Sequence, residues 1–207
     1  QTKEIRLPSH VIDKNIKEFT DYISSKSDYK LIQEFGFNKK YNERKNQRFL
    51  CKDNIVDFSQ FFDTEKEGRV IYVGRKNSLR RRIVNEEILI KFLKNKYGDK
   101  LEILDLDKGY SMLDQAKIFN GCEIFIAVHG ASIANLFFMK SNTHLIEILA
   151  DGCEPHCFNQ KAKNKGIKHD YLHLKDYNKS ESVYKYPRDS YMKMHSNDLN
   201  NLNSLLG

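Results

Sequence analysis

In the segment Val128-His129-Gly130-Ala131-Ser132, the imidazole of His129 can accept or donate a proton. The residues that follow it are small enough for a ligand to reach the backbone. The segment begins with the last residue of the apolar run Ile124–Val128 and precedes a stretch, about Ile133 to Met139, that we expect to be helical. Ligands of open α/β sheets bind outside the carboxyl ends of the strands. Free N–H groups at a helix N-terminus suit a diphosphate. The segment therefore predicts a phosphate-binding turn beside His129, with a tight turn that merely needs Gly130 as the alternative.

A cluster of guanidinium groups follows another apolar run, Arg69–Val73. Its members are Arg75, Arg80, Arg81 and Arg82, with Asn85 and Glu86 directly behind them. Guanidinium groups pair with phosphate oxygens through their fork geometry. In a transferase without a metal ion they would offset the charge on a departing diphosphate. A basic surface loop is the alternative interpretation.

Two further polar side chains are candidates for a site. Glu147 lies within the apolar run Leu145–Leu149, where a carboxylate needs a partner or a solvent edge, and binding a ribose diol is one such use. An ordinary residue at a sheet edge is the alternative. Gln115, in a helix that begins near Ser111, would by itself be a surface residue.

The elements that must position these residues alternate between strand and helix. We predict strands at 69–73, 101–104, 124–128, 143–149 and 171–174, and helices at 85–97, 111–120, 133–139, 154–165 and 196–206. Gly98 is expected to end the first of these helices, and Ser111 with Asp114 to form a capping box. Such alternation predicts an α/β fold, a Rossmann-like parallel sheet with helices on both faces.

The first 66 residues are polar and weakly patterned. We interpret residues 1–66 as an N-terminal segment, a partial lobe or hinge, and residues 67–207 as a Rossmann-like domain. An amphipathic helix is predicted over Val11–Ile23, with Ile12, Ile16, Phe19 and Ile23 on one face, and a loop over Asn38–Arg48.

The bulk properties exclude several classes of protein. The chain has 207 residues, of which 40% are hydrophobic and 30% charged, typical of a globular protein. No apolar run approaches the ~18 residues that span a bilayer. The net charge of +7 attracts anions, but the lysines are interleaved with acidic residues and no nucleic-acid-binding motif is present, so we expect no nucleic-acid partner.

We expect no metal site. Cys153 and Cys157 could pair or remain free, and with His156 they lack a second ligand pair for zinc. Asp105-Leu106-Asp107 is interpreted as a polar turn, because the arginines already supply positive charge. Cys122 is expected to be a buried thiol.

In this order the pieces resemble glycosyltransferase family 61, particularly its EGF-domain-specific O-GlcNAc transferases. The matching pieces are Arg75, Arg81–Glu86, Leu113-Asp114-Gln115, His129-Gly130-Ala131, Leu136-Phe137-Phe138 and Ile146-Glu147-Ile148, and the likeness continues through Cys157 and Gly166–Tyr171. The resemblance implies the C-terminal, donor-binding lobe of a GT-B glycosyltransferase. It also implies inverting transfer of a sugar, N-acetylglucosamine or a pentose, from a UDP-sugar to a hydroxyl of a protein or glycan.

The resemblance further implies a set of donor-binding residues. Arg75, Arg81 and the backbone of Gly130, Ala131 and Ser132 would bind the diphosphate and Glu147 the ribose, while Asn85 would shape the arginine loop and Gln115 belong to the same site. His129 is the candidate base, or a donor to phosphate. The donor is the only small molecule expected, with no separate cofactor.

Two features depart from the family pattern. Ser132 stands where the family usually has Gly or Ala, and 66 residues are too few for a complete N-terminal lobe, so an acceptor-activating base is expected to lie outside this sequence. The alternative function is a non-catalytic nucleotide- or partner-binding module of the same fold. The compartment stays open: endoplasmic reticulum or Golgi lumen in a eukaryote, cytoplasm in a bacterium or virus.

Overall fold

The structure is a computed structural model that describes residues 3–7, 16–26, 29–33, 58–63, 66–153, 157–175 and 191–207. Its strands are β1 (Lys3–Leu7), β2 (Tyr29–Gln33), β3 (Arg69–Val73), β4 (Leu101–Leu104), β5 (Cys122–Val128), β6 (His144–Ala150) and β7 (Lys168–Leu174). Its α-helices are α1 (Ile16–Lys26), α2 (Glu86–Tyr97), α3 (Met112–Asn120), α4 (Asn159–Asn164) and α5 (Ser196–Leu206). Short 3₁₀ helices cover Phe58–Phe61, Gly98–Lys100, Leu106–Lys108 and Ala131–Phe138.

The main sheet has the strand order β4-β3-β5-β6-β7, and every neighbouring pair is parallel. Side chains alternate between its two faces. Ile71, Phe125 and Leu145 pack into one hydrophobic cluster with α1, α3 and α4. Tyr72 and Ile126 pack into the other with α2 and α5. The predicted α/β, Rossmann-like sheet with helices on both faces is confirmed.

The direction of strand order reverses beside β3. The chain moves from β3 outward to β4, returns to β5 on the other side of β3, and continues outward through β6 and β7. The carboxyl ends of β3 and β5 therefore form a topological switch point, the place where open α/β sheets bind ligands. The arginine loop follows β3, and His129-Gly130 follows β5.

Local signals in the sequence place most elements within a few residues. Gly98 ends α2 with a φ of 52°, in the left-handed region that favours glycine. Ser111 and Asp114 form the expected capping box at the start of α3. The spacing of the apolar residues in α2 predicts one buried face made of Ile88, Leu89, Phe92 and Leu93. Leu89 and Leu93 are fully buried, but the prediction is wrong at Ile88, which is 41% exposed.

Other elements differ from the prediction. The segment after Gly130 is a 3₁₀ helix and not an α-helix, and β7 begins at Lys168, before the predicted Tyr171. Within the predicted helix 154–165, the structure describes α4 only over Asn159–Asn164. Of the cysteines, Cys122, Cys153 and Cys157 are free thiols. Among the described helices, none combines the length and apolarity needed to cross a membrane.

The N-terminal segment contains a strand–helix–strand unit, of which the sequence pattern predicted only the helix. β1 and β2 pair in parallel, with α1 between them in the chain. Phe19 and Ile23 are fully buried, as the predicted face of this helix requires, and the Phe19 ring lies 5.7 Å from that of Phe138. The helix extends to Lys26; residues 11–15, including Ile12, and the predicted loop Asn38–Arg48 lie outside the described residues. The boundary at residues 66 and 67 stays a prediction.

Candidate active site

Arg75 and Gly130 meet at the switch point between β3 and β5. A methyl group built on Gly130 would lie 2.4 Å from Nη1 of Arg75. The guanidinium group therefore lies against the backbone of the turn that follows β5, and only a glycine leaves room for it. This contact unites the two sequence features, the arginine loop and the His129–Ser132 turn, on which the predicted phosphate site depends.

Arg75 is held in this position by its own loop. Its Nη2 donates to Oγ of Ser78 at 2.9 Å, and its Nε donates to the carbonyl of Arg80 at 3.3 Å. The preceding residue, Gly74, is also tightly packed, since a methyl group there would lie 1.9 Å from Oε1 of Glu86. These contacts aim a positive, fork-shaped donor group at the carboxyl edge of the sheet, where it can bind an anion.

His129 is linked to two other strands through Glu147. Its Nδ1 donates to Oε1 of Glu147, and Nε2 of His169, on β7, donates to Oε2 of the same carboxylate at 3.0 Å. Glu147 has no solvent exposure, whereas the side chain of His129 is 20% exposed. The ring of Phe158 lies beside His129, with 6.3 Å between the ring centroids.

The charge on Glu147 is kept by these hydrogen bonds. Burial acts to raise its pKa, but hydrogen bonds from His129 and His169 and the attraction of both imidazoles lower it, and the net pKa lies below the ordinary value of 4.5. The carboxylate is therefore ionised at neutral pH. The predicted ribose role would require a ligand to displace an imidazole from a carboxylate that solvent does not reach.

Gln115 is linked to the His129–Ser132 turn through Asn135. Its Nε2 donates to the carbonyl of Tyr110 at 3.2 Å, and its Oε1 accepts from Nδ2 of Asn135 at 3.1 Å. The same amide of Asn135 also donates to the carbonyl of Ser132 at 3.0 Å. Gln115 thus reaches the candidate site through Asn135 and the backbone of Ser132.

Asn85 connects the arginine loop to the C-terminal segment. Its Nδ2 donates to the carbonyl of Met194 at 2.8 Å, and its Oδ1 accepts from the N–H of Met194 at 2.9 Å. Both ends of the amide are therefore engaged within the protein, and the loop-shaping role of Asn85 stays a prediction. Arg81 lies between Arg75 and Asn85 in the loop and has a φ of 58°, a left-handed conformation unusual for a residue with a side chain.

Several residues of this arrangement were missed by the sequence analysis, above all His169, Asn135 and Met194. His169 pairs with Leu145 across β6 and β7, so it reaches Glu147 only because of the sheet register. The available signal was two histidines four positions apart, His169 and His173, on a strand that begins earlier than predicted. Within the described residues, no group of three or more His, Cys, Asp or Glu side chains is arranged to hold a metal ion. Asp105 is paired instead with Lys108 at 3.5 Å.

Comparison with known proteins identifies the family. The model of the family described as Glycosyltransferase 61 matches residues 8–146. A xylan glycosyltransferase of Arabidopsis thaliana, MUCI21, is 27% identical over 113 residues, which are 53% of this chain and 22% of that protein.

Two EGF domain-specific O-linked N-acetylglucosamine transferases are similarly related. That of Bos taurus is 30% identical over 100 residues, 48% of this chain and 19% of that protein, and that of Canis lupus familiaris is 28% identical over 105 residues, 49% and 20%. The chain thus matches about a fifth of the length of these relatives. Because the family model covers about two thirds of its residues, the chain belongs to the glycosyltransferase 61 family.

Proposed function

We propose that this chain is the donor-binding part of an inverting glycosyltransferase that transfers a sugar from a UDP-sugar to a hydroxyl group of a protein or glycan. The observation that carries the proposal is the contact between Arg75 and Gly130 at the switch point of the sheet. It presents a guanidinium group to the turn where an α/β sheet binds its ligand. Membership of the family supports glycosyl transfer as the chemistry.

The leaving diphosphate determines what this part of the protein must do. Inverting transfer is an in-line displacement, so negative charge builds up on the diphosphate while the acceptor loses a proton on the other face of the sugar. Arg75 and Arg81, with backbone N–H groups after Gly130, would stabilise that charge. His129 would either take the acceptor proton or donate to a phosphate oxygen.

The relatives suggest the sugar. The EGF domain-specific relatives are named as N-acetylglucosamine transferases, and the Arabidopsis protein is named as a xylan glycosyltransferase. We therefore propose N-acetylglucosamine or a pentose as the transferred group. Because arginine side chains would supply the positive charge in place of a metal cation, we also propose that donor binding is independent of metal ions.

The testing experiment is a thermal-shift screen of the chain with UDP, GDP, CMP and their sugars. A ligand at about 100 times its Kd should add roughly 2.7 kcal/mol of stability and raise Tm. UDP should give the largest rise, and EDTA should leave it unchanged. No shift at millimolar concentrations of any of these nucleotides would refute donor binding, and loss in EDTA with recovery in Mn²⁺ would refute the metal-free site.

A further inference from the structure

We propose that Glu147 and His169 are positioning residues, which fix the tautomer and orientation of His129 so that its Nε2 serves the donor site. This inference rests on the proposed function and extends it to a residue of β7 that the donor-site prediction did not include. It also replaces direct ribose binding as the main role of Glu147.

The hydrogen bonds determine both tautomers. A carboxylate has only acceptors, so each imidazole nitrogen that faces it must carry a proton. His129 is therefore protonated at Nδ1, and His169 at Nε2. Among the described residues no group is hydrogen-bonded to Nε2 of His129, which leaves that nitrogen available to a ligand.

His169 holds the carboxylate from the interior. Its side chain is only 3% exposed, and its ring lies 4.5 Å from that of Tyr171. Its Nδ1 is buried and has no hydrogen-bond partner within the described part of the chain. The only hydrogen bond of the His169 imidazole within the described residues is therefore the one from Nε2 to Glu147. We infer that the ring is placed for that contact.

Stability alone does not account for the arrangement. A buried charged group costs desolvation energy, and an apolar residue of similar volume is often neutral or stabilising in its place. The neighbours of Glu147 in β6 are the buried Leu145, Ile146, Ile148 and Leu149, so an apolar residue would suit the strand. Of His129, Glu147 and His169, only His129 has an appreciably exposed side chain. It directly precedes Gly130, which contacts Arg75 at the carboxyl edge of the sheet.

The same two strands supply a matched control. Nε2 of His144 and Oδ2 of Asp170 are 2.8 Å apart, a second histidine–carboxylate pair between β6 and β7. His144 is the first residue of β6, so this pair lies at the amino end of the sheet, away from the donor site. Asp170→Asn should therefore report the effect of weakening a histidine–carboxylate pair outside the donor site, together with the ion pair between Asp170 and Lys168 at 2.8 Å.

The first test measures the tautomers in the whole chain by long-range ¹H–¹⁵N spectra of the histidines. The wild type should show His129 protonated at Nδ1 and His169 at Nε2. Glutamine offers one acceptor and one donor, so Glu147→Gln should change the tautomer of one imidazole or break its hydrogen bond. A wild-type His129 protonated at Nε2 alone would overturn the proposal, whether or not any variant folds.

The second test follows UDP affinity by calorimetry. Glu147→Gln should weaken UDP binding by about tenfold or more, by analogy with the lower end of the range for carboxylates that orient metal-binding imidazoles, whereas Asp170→Asn should change it by less than about twofold. If Glu147 acts through His129, Glu147→Gln should cause no further loss in a His129→Ala background. An undiminished loss in the His129→Ala background would mean that Glu147 contacts the ligand directly.

Absence of UDP binding by the wild type would instead refute the proposed function. The tautomer measurement would still decide whether Glu147 and His169 fix the protonation of His129.

Discussion

Gly130 is a residue at which a single added methyl group should weaken ligand binding. Its φ of 172° is extended backbone that alanine adopts readily, so Gly130→Ala should alter the free energy of unfolding by less than about 1 kcal/mol. The new methyl group would nevertheless lie 2.4 Å from Nη1 of Arg75 and displace the guanidinium group. We expect UDP affinity to fall by about tenfold, a loss of ~1.4 kcal/mol.

A double variant separates this cause from a simple steric block. If Gly130→Ala acts by moving Arg75, it should add little to the loss caused by Arg75→Ala, because the two residues then share one interaction. Calorimetry on the single and double variants measures this coupling. Fully additive losses would show that the methyl group obstructs the ligand itself.

Arg81 tests whether binding is local or diffuse. Arg81→Ala should weaken UDP binding far more than Lys91→Ala, although each substitution removes one positive charge. Arg81 lies in the loop at the ligand edge, whereas Lys91 is exposed on α2. Equal losses, measured at one ionic strength, would mean that the overall charge of +7 binds the anion without a defined site.

At the scale of the elements, the C-terminal segment stabilises the arginine loop. The amide of Asn85 both donates to and accepts from the backbone of Met194, and Ile83 forms a parallel bridge with Met192. Asn85→Ala should therefore lower the free energy of unfolding by roughly 1–3 kcal/mol, the cost of leaving partly buried groups unpaired. It should also weaken UDP binding indirectly, by loosening the loop that carries Arg75 and Arg81.

The control for Asn85 joins the same two parts of the chain at the surface. Nζ of Lys96 on α2 donates to Oδ1 of Asn203 on α5 at 2.9 Å, and both groups are exposed. Lys96→Ala should change stability by less than about 0.5 kcal/mol. Urea unfolding of both variants gives the comparison, and similar losses would contradict a special role for Asn85.

At the scale of the whole molecule, the chain by itself should bind donor without transferring the sugar. A base must come within about 2.6–3.2 Å of the acceptor hydroxyl, or act through one water. In a two-lobed transferase the acceptor lies across a cleft from the donor lobe, and this chain matches only about a fifth of the length of its relatives. Slow hydrolysis of UDP-N-acetylglucosamine is then the most that we expect.

The measurement is product formation from UDP-N-acetylglucosamine and a folded EGF-like domain. Robust transfer by this chain would contradict the prediction and make His129 the leading candidate for the base. If His129 is then the base and makes no contact with the diphosphate, contrary to the role inferred for its Nε2 in UDP binding, His129→Ala should abolish turnover and leave UDP binding largely intact. An equal loss of both would assign His129 to the diphosphate.

The sequence by itself determined the strands of the main sheet, most of the helices beside it and the order of the candidate residues. Apolar runs such as Arg69–Val73 and the stop at Gly98 act over a few residues, so β3 and the end of α2 could be read directly. The family resemblance, carried by short pieces from Arg75 to Glu147, was confirmed by the family model. Local signals were less exact for helix type and for helix faces: the helix predicted after Gly130 is a 3₁₀ helix, and Ile88 is exposed.

Only the tertiary structure decided which residues meet. The strand order brings the loops after β3 and β5 together, and so sets Arg75 against Gly130, 55 positions away in the chain. The register of β6 with β7 places His169 on Glu147 and makes the carboxylate a link between two imidazoles. Such pairings depend on hydrogen bonds between distant strands, which leave no periodic signal within any one segment. For that reason the sequence could name Glu147 and His129 separately, while their hydrogen bond emerged only from the folded sheet.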